Sequence, residues 1–199
     1  MMRKNGNRDT GVLLIGGSAG SLKVLFDLLP DLDENLGFPI IIVVHRKAAA
    51  DSQLESVFEK HTKLKVFEIE DKMSLEPNTI YLAPADYHVL LETPTELALD
   101  YSEKLHYSRP SIDVTFQSGA EIFGEKAVAI LLSGANHDGA LGLKYVQTAG
   151  GLVIIQDPET AEVDLMPREA MTQVNPDYII KPADMAKLIN TLANKTNNQ

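Results

Sequence analysis

Three residues in this 199-residue chain have the types that acyl-transfer hydrolysis requires, and each stands in a loop of small or polar residues. Ser18 lies in Gly16-Gly17-Ser18-Ala19-Gly20, His45 follows the apolar run Ile40–Val44, and Asp138 lies in Ser133-Gly134-Ala135-Asn136-His137-Asp138-Gly139-Ala140. A serine hydroxyl becomes a useful nucleophile when a neighbouring base takes its proton. Imidazole titrates close to neutrality, and a carboxylate can fix its tautomer and stabilise its cationic form. The three are far apart in sequence, which is no obstacle, because a triad is defined by geometry and roles.

Each motif has a plainer reading when taken alone. G-x-S-x-G suits a sharp strand-to-helix turn that lifts a serine clear of a sheet, but a Gly/Ser loop also serves as an ordinary turn or a phosphate cradle. A lone histidine at a strand end is commonly a polar cap. Asp138 is placed to be the N-cap of the helix expected at about 139–149. What favours chemistry is the joint placement of all three.

The elements between the loops supply that placement. Val12–Ile15, Pro39–Val44, Leu64–Ile69, Lys126–Leu132, Gly151–Gln156 and Tyr178–Ile180 read as strands. Several are continuous apolar runs without alternation, the pattern of strands covered on both faces. Helical periodicity falls between them at Leu22, Leu25, Phe26 and Leu29, at Ile112, Phe116, Ala120 and Phe123, and at Met185, Leu188, Ile189 and Leu192. Ser111 is placed to cap the second of these helices, and Ser52 with Glu55 suggests a capping box for a helix carrying Leu54, Val57 and Phe58. Thr79–Ala83, Tyr87–Glu92 and Glu96–Asp100 are closely spaced strand candidates with a turn at Pro94-Thr95. They predict an antiparallel hairpin at about 79–100, inserted in the sheet or added to its edge. The expected fold is α/β: a doubly wound, mostly parallel sheet flanked by helices. Such sheets bind ligands at the carboxyl ends of their strands, where the three loops belong. Residues 1–10 and 194–199 are expected to be frayed ends of a single domain spanning 11–193.

Composition narrows the function. The chain has no cysteine, so disulfides, thiolate metal sites and cysteine nucleophiles are excluded. Its formal net charge is −10, and no basic block is longer than Arg46-Lys47. That balance argues against nucleic acid or anionic lipid as a partner. No apolar run approaches the roughly 20 residues of a membrane span, and the N-terminus lacks the apolar core of a signal peptide. Direct membrane insertion is not expected, and a cytoplasmic location is the default.

These loops resemble those of the chemotaxis methylesterases, the CheB catalytic domain. Ile15–Gly20 is similar to the family's nucleophile loop, His45 to its catalytic histidine and Leu132–Ala140 to its aspartate loop. Tyr81–His88, Arg109–Asp113, Gln156–Pro158 and Met166-Pro167 extend the resemblance over roughly residues 11–182. It implies a Ser18–His45–Asp138 triad, backbone N–H groups of Ala19 and Ala135 as the oxyanion hole, and no cofactor or metal. It implies hydrolysis of glutamate γ-methyl esters on methyl-accepting chemotaxis receptors, and deamidation of receptor glutamines by the same chemistry. His88 and Arg109 fall in matching motifs, which suggests that they line the substrate cleft; hydrogen-bonding or surface roles are equally compatible. Two substitutions depart from the pattern: Ala19-Gly20-Ser21 stands where Thr-Gly-Gly is usual, and Ala135 where methionine is common. The short segment before the first strand leads to the expectation that no receiver domain controls this chain in cis.

Other readings compete. An NADP-dependent oxidoreductase would use Gly16, Gly17 and Gly20 around phosphates and Arg46-Lys47 on a 2′-phosphate, although the G-x-G-x-x-G spacing is missing. A non-catalytic receptor-binding module would keep the fold alone, and an esterase for a different ester would keep both fold and triad. His137 beside Asp138 carries no metal-ligand spacing, and His61 and His106 read as solvated.

Overall fold

The computed structural model describes residues 9–46, 54–105 and 107–193. The expected capping serine Ser52, the basic residue Lys47, His106 and nearly all of both expected frayed ends lie outside them. Thr10 is already anchored: it is buried, and its hydroxyl donates to Leu192 O at 3.3 Å.

Among the described residues, nine strands and six α-helices are formed: β1 (Val12–Gly17), α1 (Ser21–Leu28), β2 (Ile40–Val44), α2 (Leu54–Glu59), β3 (Lys65–Glu68), β4 (Thr79–Leu82), β5 (His88–Thr93), β6 (Glu96–Asp100), α3 (Ile112–Phe123), β7 (Ala127–Leu131), α4 (Ala140–Thr148), β8 (Leu152–Gln156), α5 (Leu165–Gln173), β9 (Tyr178–Ile180) and α6 (Pro182–Thr191). Seven strands make one parallel sheet in the order β3-β4-β2-β1-β7-β8-β9. The unalternating strands β1, β2 and β7 are buried along their whole length, as their composition requires.

Side chains alternate across the pleat and feed two cores. Leu13, Ile15, Ile40, Ile42, Val128 and Ile130 pack with Leu25, Leu28, Phe58, Met185 and Ile189 on one face. Val12, Leu14, Ile41, Val43, Ala129 and Leu131 pack with Ile112, Phe116, Leu143, Met166 and Ala170 on the other. The helices therefore sandwich the sheet, with α3, α4 and α5 together on the second face.

One detail departs from expectation. Of the three closely spaced strand candidates, only the last two make the antiparallel hairpin, with His88 opposite Asp100 and Leu91 opposite Leu97. Thr79–Leu82 instead joins the main sheet, parallel to both β2 and β3. The hairpin is a separate two-stranded sheet. Its inward residues Val89, Leu91 and Leu97 pack into the core beside α3.

Candidate active site

β1 lies centrally, with β2 on one side and β7 on the other, so the chain reverses its direction of winding there. That switch point opens a crevice at the carboxyl ends of the strands. Ser18 leaves β1, His45 leaves β2, and Asp138 follows β7. Backbone bonds continue the ladder into the loops: His45 N–H donates to Gly17 O at 3.2 Å, Leu132 N–H to Gly16 O at 2.8 Å, and Ser18 N–H to Ser133 O at 2.9 Å. The nucleophile loop is thus held between the other two.

Ser18 is half-buried at a tight turn in which Ser21 N–H and Ser21 Oγ both donate to Ser18 O, at 3.1 and 2.7 Å. Gly20 follows in the left-handed region at φ 83° and opens α1. The neighbouring loop approaches closely. A Cβ on Gly134 would lie 2.5 Å from Met166 Cε and 3.0 Å from Ser18 Cβ, so a side chain there would displace the serine loop or Met166. Ser133 adds a brace: its hydroxyl accepts from Val163 N–H at 3.0 Å and lies 2.8 Å from Ala19 O. Ser18 N–H and Gly134 N–H are committed to Ser133 O and Val163 O, whereas among the described residues no bond engages the N–H of Ala19 or Ala135.

His45 Nε2 lies 2.8 Å from Asp138 Oδ2. Asp138 is fully buried and accepts four hydrogen bonds, two on each oxygen. Oδ2 takes His45 Nε2 and Ile112 N–H at 2.7 Å; Oδ1 takes Ser111 Oγ at 2.9 Å and Asp113 N–H at 3.0 Å. Burial alone would raise this carboxyl, but the bonds from His45, Asp113 and Ile112 outweigh it and hold the group below the usual carboxylate range. The aspartate is therefore ionised where an imidazolium would need it.

The expected capping role of Asp138 is corrected in its target. Gly139, at φ 95°, is the N-cap of α4; Asp138 instead satisfies the first N–H groups of α3. Asp113, in the first turn of α3, returns the arrangement by accepting from Gly139 N–H at 2.9 Å and Gly142 N–H at 2.6 Å at the start of α4. Asp113 in α3 thus serves the N-terminus of α4, and Asp138 in the loop just before α4 serves the N-terminus of α3. Burial, and then the charge of Asp138, push the Asp113 carboxyl up to about 6. Ser111 stands at the N-cap position of α3, yet its hydroxyl serves Asp138 and makes no cap bond.

The other candidates separate. His88 is only 1% exposed; Nδ1 accepts from Ser111 N–H at 3.0 Å and Nε2–H donates to Glu103 O at 3.0 Å. It braces the entry to α3 from the hairpin and does not line the cleft. Arg109 does line it, in a cleft of about 500 Å³ shared with His45, Arg46, Asp86, Lys104 and Ser108. Its guanidinium also donates to Tyr101 O and Ser102 O and lies 3.8 Å over the Tyr101 ring. His137 is exposed, 3.7 Å from Glu169. Ser108 and Asn136, which sequence reasoning left without a role, stand at His45 Nδ1, at 3.5 and 3.2 Å. Among the described residues no hydrogen bond joins Ser18 Oγ to that nitrogen.

A domain family described as CheB methylesterase matches residues 13–189. The chain belongs to the CheB methylesterase family. A relative from Leptospira interrogans is 39% identical over 176 residues, which are 88% of this chain and 91% of that protein. The protein-glutamate methylesterase/protein-glutamine glutaminase of Thermotoga maritima is 33% identical over 85% of this chain, a match that spans 50% of the relative. The crystal structure of the T. maritima CheB methylesterase catalytic domain superposes with a TM-score of 0.88 at 31% identity, covering 92% of this chain and 98% of that one. The parallel sheet with its appended hairpin is thus the fold of that catalytic domain. No helix among the described residues is long and apolar enough to cross a membrane.

Proposed function

We propose that this chain is a serine carboxyl-ester hydrolase that demethylates glutamate γ-methyl esters of methyl-accepting chemotaxis receptors, acting on their cytoplasmic helices. The observation that carries the reading is the 2.8 Å bond between His45 and a buried, ionised Asp138, at the same crevice as the Ser18 loop, in a chain of this family. Ser18 Oγ attacks the ester carbonyl while His45 takes its proton. The tetrahedral oxyanion is met by the uncommitted N–H groups of Ala19 and Ala135; one such donor is worth about 10²–10³ in kcat. The intermediate collapses as His45 returns the proton to departing methanol. Water, activated in turn by His45, cleaves the acyl-enzyme, which leaves a glutamate side-chain carboxylate on the receptor and regenerates Ser18. The same sequence with an amide releases ammonia, which is the glutaminase reaction of a receptor glutamine. Residues 11–193 act as one catalytic unit, and no cofactor or metal enters these steps. The cleft lined by Arg109 and Lys104 beside His45 is the place for the receptor segment that carries the ester.

A nucleotide-binding reading fits the loop poorly, because the G-x-G-x-x-G spacing is missing and β2 runs into His45 with no acidic residue to meet ribose hydroxyls. Methanol release from a methylated chemoreceptor fragment tests the proposal. Ser18→Ala is expected to lower it by roughly 10³-fold or more, and a fluorophosphonate probe is expected to label Ser18 and leave Ser108 unmodified. A folded wild type that neither releases methanol nor takes the probe would be a receptor-binding module instead.

A further inference from the structure

The hydrogen-bond polarity around His45 is decided by a group that cannot reverse. Asp138 N–H is only a donor, and it meets Asn136 Oδ1 at 3.2 Å. The other end of that amide is therefore its NH₂, which has only hydrogens to offer and lies 3.2 Å from His45 Nδ1. Nδ1 must then present a lone pair. The ring proton belongs on Nε2, where Asp138 Oδ2 accepts it at 2.8 Å. The path closes on itself: Asp138 N–H to Asn136, Asn136 to His45, His45 to the Asp138 carboxylate. Ser108 Oγ, at 3.5 Å, is at the outer limit of a hydrogen bond to the same nitrogen.

We propose that Asn136 is a positioning residue that fixes His45 as the Nε2–H tautomer and makes Nδ1 the nitrogen that receives the serine proton. The second half rests on the reading of Ser18 as nucleophile. In the resting site the amide occupies Nδ1, so Ser18 Oγ takes over the lone pair only when substrate draws the serine and the imidazole together and Asn136 is displaced. Asn136 is then neither a base nor an oxyanion donor. It keeps the ring pre-oriented with its lone pair on the side from which the proton arrives. Asp138 holds a proton on whichever ring nitrogen faces it, and Asn136 adds the choice of nitrogen, because its NH₂ needs a lone pair at Nδ1.

Ring-¹⁵N-labelled histidine reads the tautomer directly by long-range ¹H–¹⁵N correlation, with His45→Gln identifying the His45 signals. At a pH where free imidazole is neutral, wild type is expected to show an unprotonated Nδ1 and a protonated Nε2. In Asn136→Asp a carboxylate oxygen replaces the NH₂ and faces Nδ1, which favours a proton there. The signals are expected to become those of an imidazolium, and Ser18 labelling by the fluorophosphonate is expected to slow by roughly 10²-fold or more, the loss typical of a disabled general base. Asn136→Leu removes the donor without adding an acceptor, and is expected to leave a tautomer mixture and a roughly tenfold slower label. It also serves if Asn136→Asp fails to fold. A protonated Nδ1 in wild type, or wild-type spectra and labelling in folded variants, would overturn the proposal. If the tautomer is as described and wild-type Ser18 takes no label, the nucleophile reading fails and the hold of Asn136 on His45 stands.

Discussion

Asp138 concentrates the electrostatics of the site in one side chain. Four donors converge on its two oxygens, so neither oxygen can become an NH₂ group without facing an N–H or O–H hydrogen. Asp138→Asn is therefore expected to cost in two ways. Loss of the carboxylate's hold on the imidazolium should lower methanol release by about 10⁴-fold. Leaving a buried donor against another donor should cost roughly 1–3 kcal/mol of stability, measured by urea unfolding. An Asp138→Asn protein that kept its stability while losing activity would show that the N–H groups of α3 find other partners. The depressed carboxyl also gives a direction to acid unfolding. Its folded value lies below the unfolded value of 3.8, so its contribution is present above that value and disappears as pH falls through the folded value.

At the level of elements, the paired N-termini of α3 and α4 are the device that holds the aspartate loop. Asp113 has the opposite sign to Asp138. Its folded carboxyl, at about 6, lies above the unfolded 3.8, so the stabilisation it offers is complete below 3.8 and is lost as pH rises through about 6. At neutral pH two ionised carboxylates share one buried corner. Asp113→Asn retains an oxygen for Gly139 N–H and Gly142 N–H while removing that charge. Relative to wild type, the variant is expected to gain stability as pH rises from about 4.5 to about 8, by at most about 3 kcal/mol. Thermal melts across that range check it; a difference independent of pH would mean that Asp113 is not the group that titrates. His88 belongs to the same scale, since its ring links the hairpin to Ser111 and through it to Asp138.

For the whole molecule, charge distribution matters more than total charge. The chain carries −10 overall, yet among the described residues the cleft beside His45 brings together Arg46, Lys104 and Arg109 with Asp86 as the one acidic lining residue. Arg46 and Arg109 are mostly buried and bonded into the scaffold, to Glu68 and Ala83 O and to the 101–102 backbone respectively. Lys104 is half-exposed and only 3.7 Å from Asp86, which leaves its amine reachable. Lys104→Gln is expected to raise KM for an acidic receptor segment roughly two- to fivefold with kcat unchanged. The difference should shrink as salt shortens the Debye length below about 8 Å. Steady-state assays at two ionic strengths measure it, and a fall in kcat with KM unchanged would place Lys104 outside substrate binding.

Much of this architecture was legible in residue order alone. Unbroken apolar runs such as Ile40–Val44 and Ala127–Leu131 can be satisfied only by a sheet covered on both faces, and the intervening helical periodicity requires crossover connections. That places Ser18, His45 and Asp138 at one edge, and the motifs around them indicate acyl transfer. The tertiary structure decided what lies beyond nearest neighbours in sequence. Local reasoning assigns Asp138 to the helix that follows it, because capping is short-ranged; in the fold a helix starting 26 residues earlier in the chain supplies the N–H groups. Nothing local distinguishes a cleft histidine from His88, whose two nitrogens are consumed by partners 23 and 15 residues away. The same holds for Asn136, an unremarkable loop amide in sequence, which acquires its role only because folding brings it to a histidine 91 residues distant. Periodicity and motif are properties of one segment, whereas hydrogen-bond polarity and burial belong to pairs of segments, and only the packed fold selects those pairs.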